Sequence, residues 1–161
     1  MKKPNPLLED LKPILPVIAA NAFQAEKDRS VPVENIALLK GIGMHRAFQP
    51  KKYGGMEISL PQFADCIALL AGSCASTAGA MSLLCTHSHQ LAMFPAKAQQ
   101  EVWGDDPDAT ASRSIAPFGR TEEVDGGVMF SGEMGWSSGC DHAEWAIVGF
   151  RRKNAEGTPD Y

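Results

Sequence analysis

The chain has 161 residues, 44% of them hydrophobic and 21% charged, with a formal net charge of -4. This is a globular composition, large enough for one ordinary domain or for one and a half small ones. An acidic balance argues against nucleic acid, which needs a basic face, and no apolar run reaches the roughly 18 residues that span a bilayer.

From Leu7 to about Arg29 the apolar residues Leu7, Leu8, Leu11, Ile14, Leu15, Ile18, Ala22 and Ala25 recur at helical spacing. Pro13 and Pro16 predict a late start or a kink. Lys2 and Lys3 precede no apolar stretch, since Glu9, Asp10 and Lys12 interrupt at once, so a signal peptide is not expected. Ser30-Val31-Pro32 breaks the helix, and Pro32 at a first helical position opens a second, Val33 to Lys40, ended by Gly41 and Gly43. Met44 to Gly55 reads as an irregular crossing that ends in a glycine turn. Ser59 caps a third helix, about Leu60 to Ala71, with Phe63, Ile67, Leu69 and Leu70 as core candidates and Gly72 as its stop. Ser76-Thr77 opens a fourth, about Ala78 to Phe94, expected to be buried on nearly all sides. A short amphipathic helix, Pro95 to Val102, is stopped by Trp103-Gly104-Asp105-Asp106-Pro107.

After Pro107 the pattern changes to alternation with Gly and Pro. Ala109 to Ile115, Arg120 to Val124, Val128 to Ser131 and Glu144 to Arg151 are strand candidates. Asp125-Gly126-Gly127 signals a hairpin, and Arg152 to Thr158 a further turn. The fold class is therefore α+β, with a helical region at 1–107 followed by a β-region at 108–161. A strand run that ends where its partner should begin reads as an incomplete unit, the N-terminal piece of a longer protein. Cys66, Cys74, Cys85 and Cys140 form no CxxC pair and fit reduced, buried thiols of a cytoplasmic protein.

The stretch richest in chemistry is Gly135-Trp136-Ser137-Ser138-Gly139-Cys140-Asp141-His142, a glycine-flanked corner between two apolar runs. A flat redox-active ring fits such a corner, with the Trp136 indole flanking it and a hydroxyl or backbone N–H reaching one ring atom. The other reading of Trp136 is a core aromatic. Asp141-His142 suggests an acid–base pair, but neighbours on a strand face opposite ways, and a structural use is expected. No group of residues has metal-ligand spacing, and no GxSxG, Walker or GxGxxG motif occurs. The missing dinucleotide fingerprint fits an enzyme that does not itself bind NAD(P)H.

Four motifs together resemble one family. They are His45-Arg46-Ala47-Phe48-Gln49-Pro50 with Tyr53-Gly54-Gly55; Leu83-Leu84-Cys85-Thr86-His87-Ser88-His89-Gln90; Ser114-Ile115-Ala116-Pro117-Phe118-Gly119; and Gly135 to Ala143. In this order they resemble the flavin-dependent monooxygenases of the acyl-CoA dehydrogenase fold, the oxygenase components of two-component aromatic hydroxylases. The resemblance implies an all-α N-terminal domain, then the first strands of a β-barrel middle domain, with a C-terminal helical bundle missing. It also implies reduced FMN or FAD that diffuses in from a separate reductase, O2 as co-substrate, a C4a-hydroperoxyflavin, a small phenolic substrate and a homotetramer. It implies roles for single residues: Ser138 at flavin N5, His87 on the substrate phenol, and Ser112, Ser114, Ala116, Phe118, Gly119, Trp136 and Ser137 along the flavin.

Each role has a plainer counterpart. Apart from the resemblance, His87 reads as a histidine satisfied inside a helical core, and Ser112 to Gly119 as a strand with a Pro-Gly turn. His89, on another face of its helix, is expected to be structural. Two positions depart from the family. Arg113 stands where the nearest hydroxylases carry a serine that holds the phenol oxygen. A guanidinium there binds a more anionic substrate, stabilises a phenolate, or swings to solvent. Gly79 replaces a tryptophan, which widens a pocket or loosens a helix. The competing readings are an acyl-CoA dehydrogenase, which has no use for a phenol-binding histidine, and a non-catalytic truncated product.

Overall fold

Two prolines divide the first helical segment. In the computed structural model, which describes residues 5–150 and the backbone of 152–153 and 159–160, it splits into α1 (Pro6–Leu11), a 3-10 turn (Lys12–Ile14), α2 (Leu15–Ala20) and α3 (Ala22–Asp28). The kink expected at Pro13 and Pro16 is present. Then come α4 (Val33–Gly41), α5 (Leu60–Ala71), α6 (Ala75–Leu91) and α7 (Ala96–Trp103). Pro32 is the N-cap of α4 and not its first residue. At α5 the Gln62 side-chain oxygen accepts from both the backbone N–H (3.2 Å) and the hydroxyl (2.8 Å) of Ser59, which fixes the start of the helix where its local chemistry predicts it.

Two expectations about the helices fail. The fourth helix begins at Ala75, not Ala78, because Cys74 in extended conformation forms its N-cap. It is also one-sided: Met81, Leu84, Cys85, His87, Ser88 and Leu91 are buried, while Ser76, Gly79, Leu83 and Thr86 face outward. On α5, Leu69 is exposed, and Cys66 takes the core position one turn before Leu70.

The main core joins Leu7, Leu11, Ile18, Leu39, Phe63 and Met81, and a smaller cluster joins Leu91, Val102, Trp103 and Ala109. Each large apolar side chain buried this way contributes about 1.5–3 kcal/mol. The irregular crossing at 44–55 is held by buried polar groups. Gln49 Nε2 donates to the carbonyls of Tyr53 (2.8 Å) and Pro107 (2.9 Å), and the fully buried His45 donates from Nε2 to Asp108 at 2.9 Å. The crossing thereby grips the residues that lead into the sheet.

The sheet is three-stranded among the described residues, in the order β2-β1-β3: β1 (Ala111–Val124), β2 (Gly127–Ser131) and β3 (Trp145–Phe150). β2 pairs antiparallel with β1 through the expected turn at Asp125-Gly126, whereas β3 runs parallel to β1, with Ala111 opposite Trp145 and Arg113 opposite Ile147. The two strand candidates at 109–115 and 120–124 are one continuous strand. Its register against β3 shifts between Ser114 and Gly119, a stretch that includes Pro117, which has no N–H to give a ladder. The backbone of 152–153 pairs antiparallel with 159–160, and residues 154–158 of the expected turn lie outside the described residues.

Burial pulls the pKa of His45 below the ordinary imidazole value, and the hydrogen bond and charge of Asp108 oppose this without cancelling it. Folded His45 therefore holds fewer protons than unfolded His45, so acidification through about pH 6.5 costs stability, by at most about 1.4 kcal/mol per pH unit. We expect the unfolding midpoint to fall between about pH 7.5 and 5, and His45→Gln to flatten that slope. An unchanged slope in the variant would remove His45 as its source.

Candidate functional site at the α6–β1 junction

The stretch Gly135 to His142 leaves β2 without regular structure and closes in a 3-10 turn, Cys140–His142. Two contacts seat it. Gly139, at φ +83°, turns its bare Cα toward α6, where an added Cβ would lie 3.2 Å from the Leu84 side chain. Ser114 of β1 donates its hydroxyl to the Gly135 carbonyl at 2.8 Å. Beyond the corner, Glu144 accepts from the Thr110 backbone N–H at 2.7 Å and pairs with Lys40 at 3.0 Å, which ties α4, the entry to β1 and the entry to β3 together. Glu144 was not among the expected site residues. A lone glutamate before a strand carries no local signal of a partner more than a hundred residues away.

Trp136 is not a core aromatic. Its indole is 95% exposed, and its backbone stands at φ +60°, a conformation that L side chains avoid. Ser137 is half-buried and Ser138 exposed. Ser138 and Gly139 line an open recess of about 350 Å³ with Gly79, Ala80 and Leu83 of α6. Nothing lies within 4 Å of the place a Gly79 side chain would start, so this glycine opens the recess instead of leaving a gap between packed helices.

His87 is one turn beyond Leu83 on α6, about 6 Å along the axis. It is buried, with its Nδ1 3.1 Å from the Ala111 carbonyl. A carbonyl only accepts, so Nδ1 carries the proton and Nε2 of the neutral ring keeps its lone pair. Burial lowers the pKa of His87, the Ala111 hydrogen bond opposes that, and the charge of Arg113 lowers it further. Arg113 is half-buried and lies two residues along β1 from Ala111, hence on the same face of the strand. Ser112 and Ser114, on the opposite face, are buried.

The remaining candidates separate. Ala116 and Gly119 are half-buried, and the Phe130 ring lies across Gly119. The side chain of Phe118 lies outside the described residues. His89 is exposed, its ring 5.6 Å from that of Phe48, away from His87 as expected. Asp141 and His142 sit in the 3-10 turn and not on a strand, and the His142 carbonyl lies 2.9 Å from the Thr110 hydroxyl. Cys66, Cys74 and Cys85 are buried as expected, but Cys140 is exposed, because its turn faces solvent. Among the described residues no group of His, Cys, Asp and Glu is placed to hold a metal ion.

The corner presents an exposed indole beside two serines, a surface against which a flat heteroaromatic ring can lie. In sequence and fold the chain is a homologue of the flavin-dependent monooxygenases built on the acyl-CoA dehydrogenase fold. It is 65% identical over 155 residues to the oxygenase component of p-hydroxyphenylacetate 3-hydroxylase from Acinetobacter baumannii, across 96% of this chain and 37% of that protein. The crystal structure of 3-HSA hydroxylase from Rhodococcus sp. RHA1 matches with a TM-score of 0.89 at 35% identity, across 96% of this chain and 40% of that one. XiaF from Streptomyces sp., solved in complex with FADH2 and glycerol, matches with a TM-score of 0.89 at 26% identity, across 96% and 39%. The chain thus spans about two fifths of the length of these relatives. No family model matches it.

Because the Trp136 indole buries almost nothing and its backbone is strained, Trp136→Gly should raise the stability of this chain by roughly 1 kcal/mol. Urea unfolding measures the difference. A less stable glycine variant would show that the indole makes contacts worth more than the strain.

Proposed function

We propose that the chain carries part of the active site of an oxygenase component that hydroxylates a phenol with reduced flavin and O2. The observation that carries this reading is the His87 ring, held by Ala111 through Nδ1 so that Nε2 keeps its lone pair, one helical turn from the recess under Ser138. The name of the Acinetobacter relative, a hydroxylase of p-hydroxyphenylacetate, supports a phenolic substrate. Its designation as an oxygenase component supports a separate reductase as partner. XiaF, solved with FADH2, supports a reduced flavin as the cofactor, FMN or FAD. The tetramer of the family, a cytoplasmic location suited to reduced thiols, and a division between helical and β-regions at 107/108 belong to the same proposal. No helix of the described residues is long and apolar enough to cross a membrane.

The chain's residues divide the work as follows. When bound, reduced flavin supplies the electrons and, with O2, the oxygen atom that is transferred. Trp136 would flank the ring system, and the Ser137 hydroxyl and the Ser112–Gly119 strand would bound its edge. Ser138 would offer its hydroxyl to the flavin N5, where a hydrogen-bonding group would influence retention of the N5 proton. His87 Nε2 accepts the phenol proton, which pushes electron density to the ring carbon that is attacked. Arg113 lies beside the same oxygen. A low pKa suits His87 to this task, since the ring stays neutral and able to accept at physiological pH.

The test is hydroxylation by the intact protein, supplied with reduced flavin, oxygen and p-hydroxyphenylacetate. A catechol product is expected, and His87→Gln should lower its formation about 10²–10⁴-fold while flavin oxidation continues and releases hydrogen peroxide. If no phenol is hydroxylated and an acyl-CoA bleaches bound flavin instead, the chain serves a dehydrogenase. If His87→Gln hydroxylates at the parent rate, His87 is a core histidine only.

A further inference from the structure

Gly79 stands in the second turn of α6, inside a helix, where glycine weakens the backbone relative to alanine. Such a glycine is accounted for when a neighbour occupies the place of its Cβ. At Gly55 and Gly119 this holds, since an added Cβ would run into the Gln49 backbone or the Phe130 ring. At Gly79 nothing among the described residues lies within 4 Å of that place. The open space is also not plain surface. It belongs to the recess of about 350 Å³ that Ala80, Leu83, Ser138 and Gly139 line, a size within the range of small-molecule sites. Leu83 is 37% exposed there, an aliphatic side chain on the floor of the recess that the described residues leave partly bare.

The helix sets the direction of this recess. Gly79, Leu83 and His87 follow one another at four-residue steps, a row along α6 in which Gly79 lies about 12 Å from His87. A phenol whose oxygen meets His87 Nε2 and whose ring lies toward Ser138 sends its para substituent past Leu83 toward Gly79. We propose that the recess at Gly79 is a subsite for a second ring on the substrate, and that the missing side chain at position 79 selects phenols with a ring-sized para substituent. This rests on the phenol-hydroxylase reading and adds to it the size of the substrate. A ring seated there covers Leu83, and that apolar burial raises kcat/KM over that of a one-ring phenol. The flavin ring and a further part of the protein are the competing occupants.

The experiment is a competition. The intact protein, with reduced flavin and oxygen, acts on an equal mixture of 4-hydroxybiphenyl and 4-methylphenol, and the ratio of catechol products gives the ratio of kcat/KM. Neither phenol carries a carboxylate. Parent protein should favour 4-hydroxybiphenyl. Gly79→Trp, which puts an indole into the recess, should shift the ratio toward 4-methylphenol by about tenfold or more. Gly79→Leu should shift it the same way by less, and it carries the test if Gly79→Trp does not fold, as unfolding midpoints show. A parent that favours 4-methylphenol, or an unchanged ratio in a folded variant, overturns the proposal. So does weaker binding of reduced flavin at an unchanged ratio, which gives the recess to the cofactor. Failure of both variants to fold overturns it too, because protein then fills the space beside Gly79. If the parent hydroxylates no phenol, the hydroxylase reading fails and takes the subsite with it. Hydroxylation with an unchanged ratio sinks the subsite alone.

Discussion

The hydrogen bond between His87 Nδ1 and the Ala111 carbonyl sets the character of this molecule. It joins the longest helix to the central strand at the point where the helical region gives way to the sheet. It also fixes which nitrogen of His87 carries the proton, and so leaves Nε2 as a base. The rest of the fold keeps those two elements in place. The buried crossing at 44–55 holds Pro107 and Asp108 just ahead of β1, and Glu144 holds Thr110. A strand displaced by one residue would move Arg113 to the opposite face of the sheet, because successive side chains alternate between faces.

The corner at 135–142 depends on the same strand. Ser114 of β1 fixes Gly135, and α6 receives Gly139 against Leu84. One strand therefore holds both halves of the candidate site, the histidine through the Ala111 carbonyl and the corner through the Ser114 hydroxyl. The strain at Trp136 fits this arrangement. A tryptophan in left-handed conformation with an exposed ring is costly in the isolated chain, and such strain persists where a ligand or a further surface covers the group.

Local chemistry made much of this legible in advance. The limits of α5 follow from Ser59 and Gly72, the breaks near Pro13 and Pro16 from the proline ring, and the β1–β2 turn from Asp125-Gly126. What local pattern missed was decided by packing between distant residues. Cys66 rather than Leu69 faces the core because the direction of α5 is set by its neighbours on α1 and α6, not by hydrophobicity alone. The strand running through 117 was broken in two by a proline rule that a register shift satisfies in another way. The exposure of Trp136 and of Cys140 had no local sign at all. The candidate residues came from motif resemblance. His87 bonds the carbonyl of Ala111, two residues before Arg113 on β1, while Ser138 lies on the neighbouring recess along α6.

The most direct measurement is a crystal structure of the intact protein with reduced flavin and p-hydroxyphenylacetate bound. The account predicts the flavin ring against Trp136 with the Ser138 hydroxyl at N5. It also predicts the phenolic oxygen within hydrogen-bond reach of both His87 Nε2 and Arg113, about 2.6–3.2 Å away. A flavin seated elsewhere, or a phenol that leaves His87 bonded only to Ala111, would contradict it.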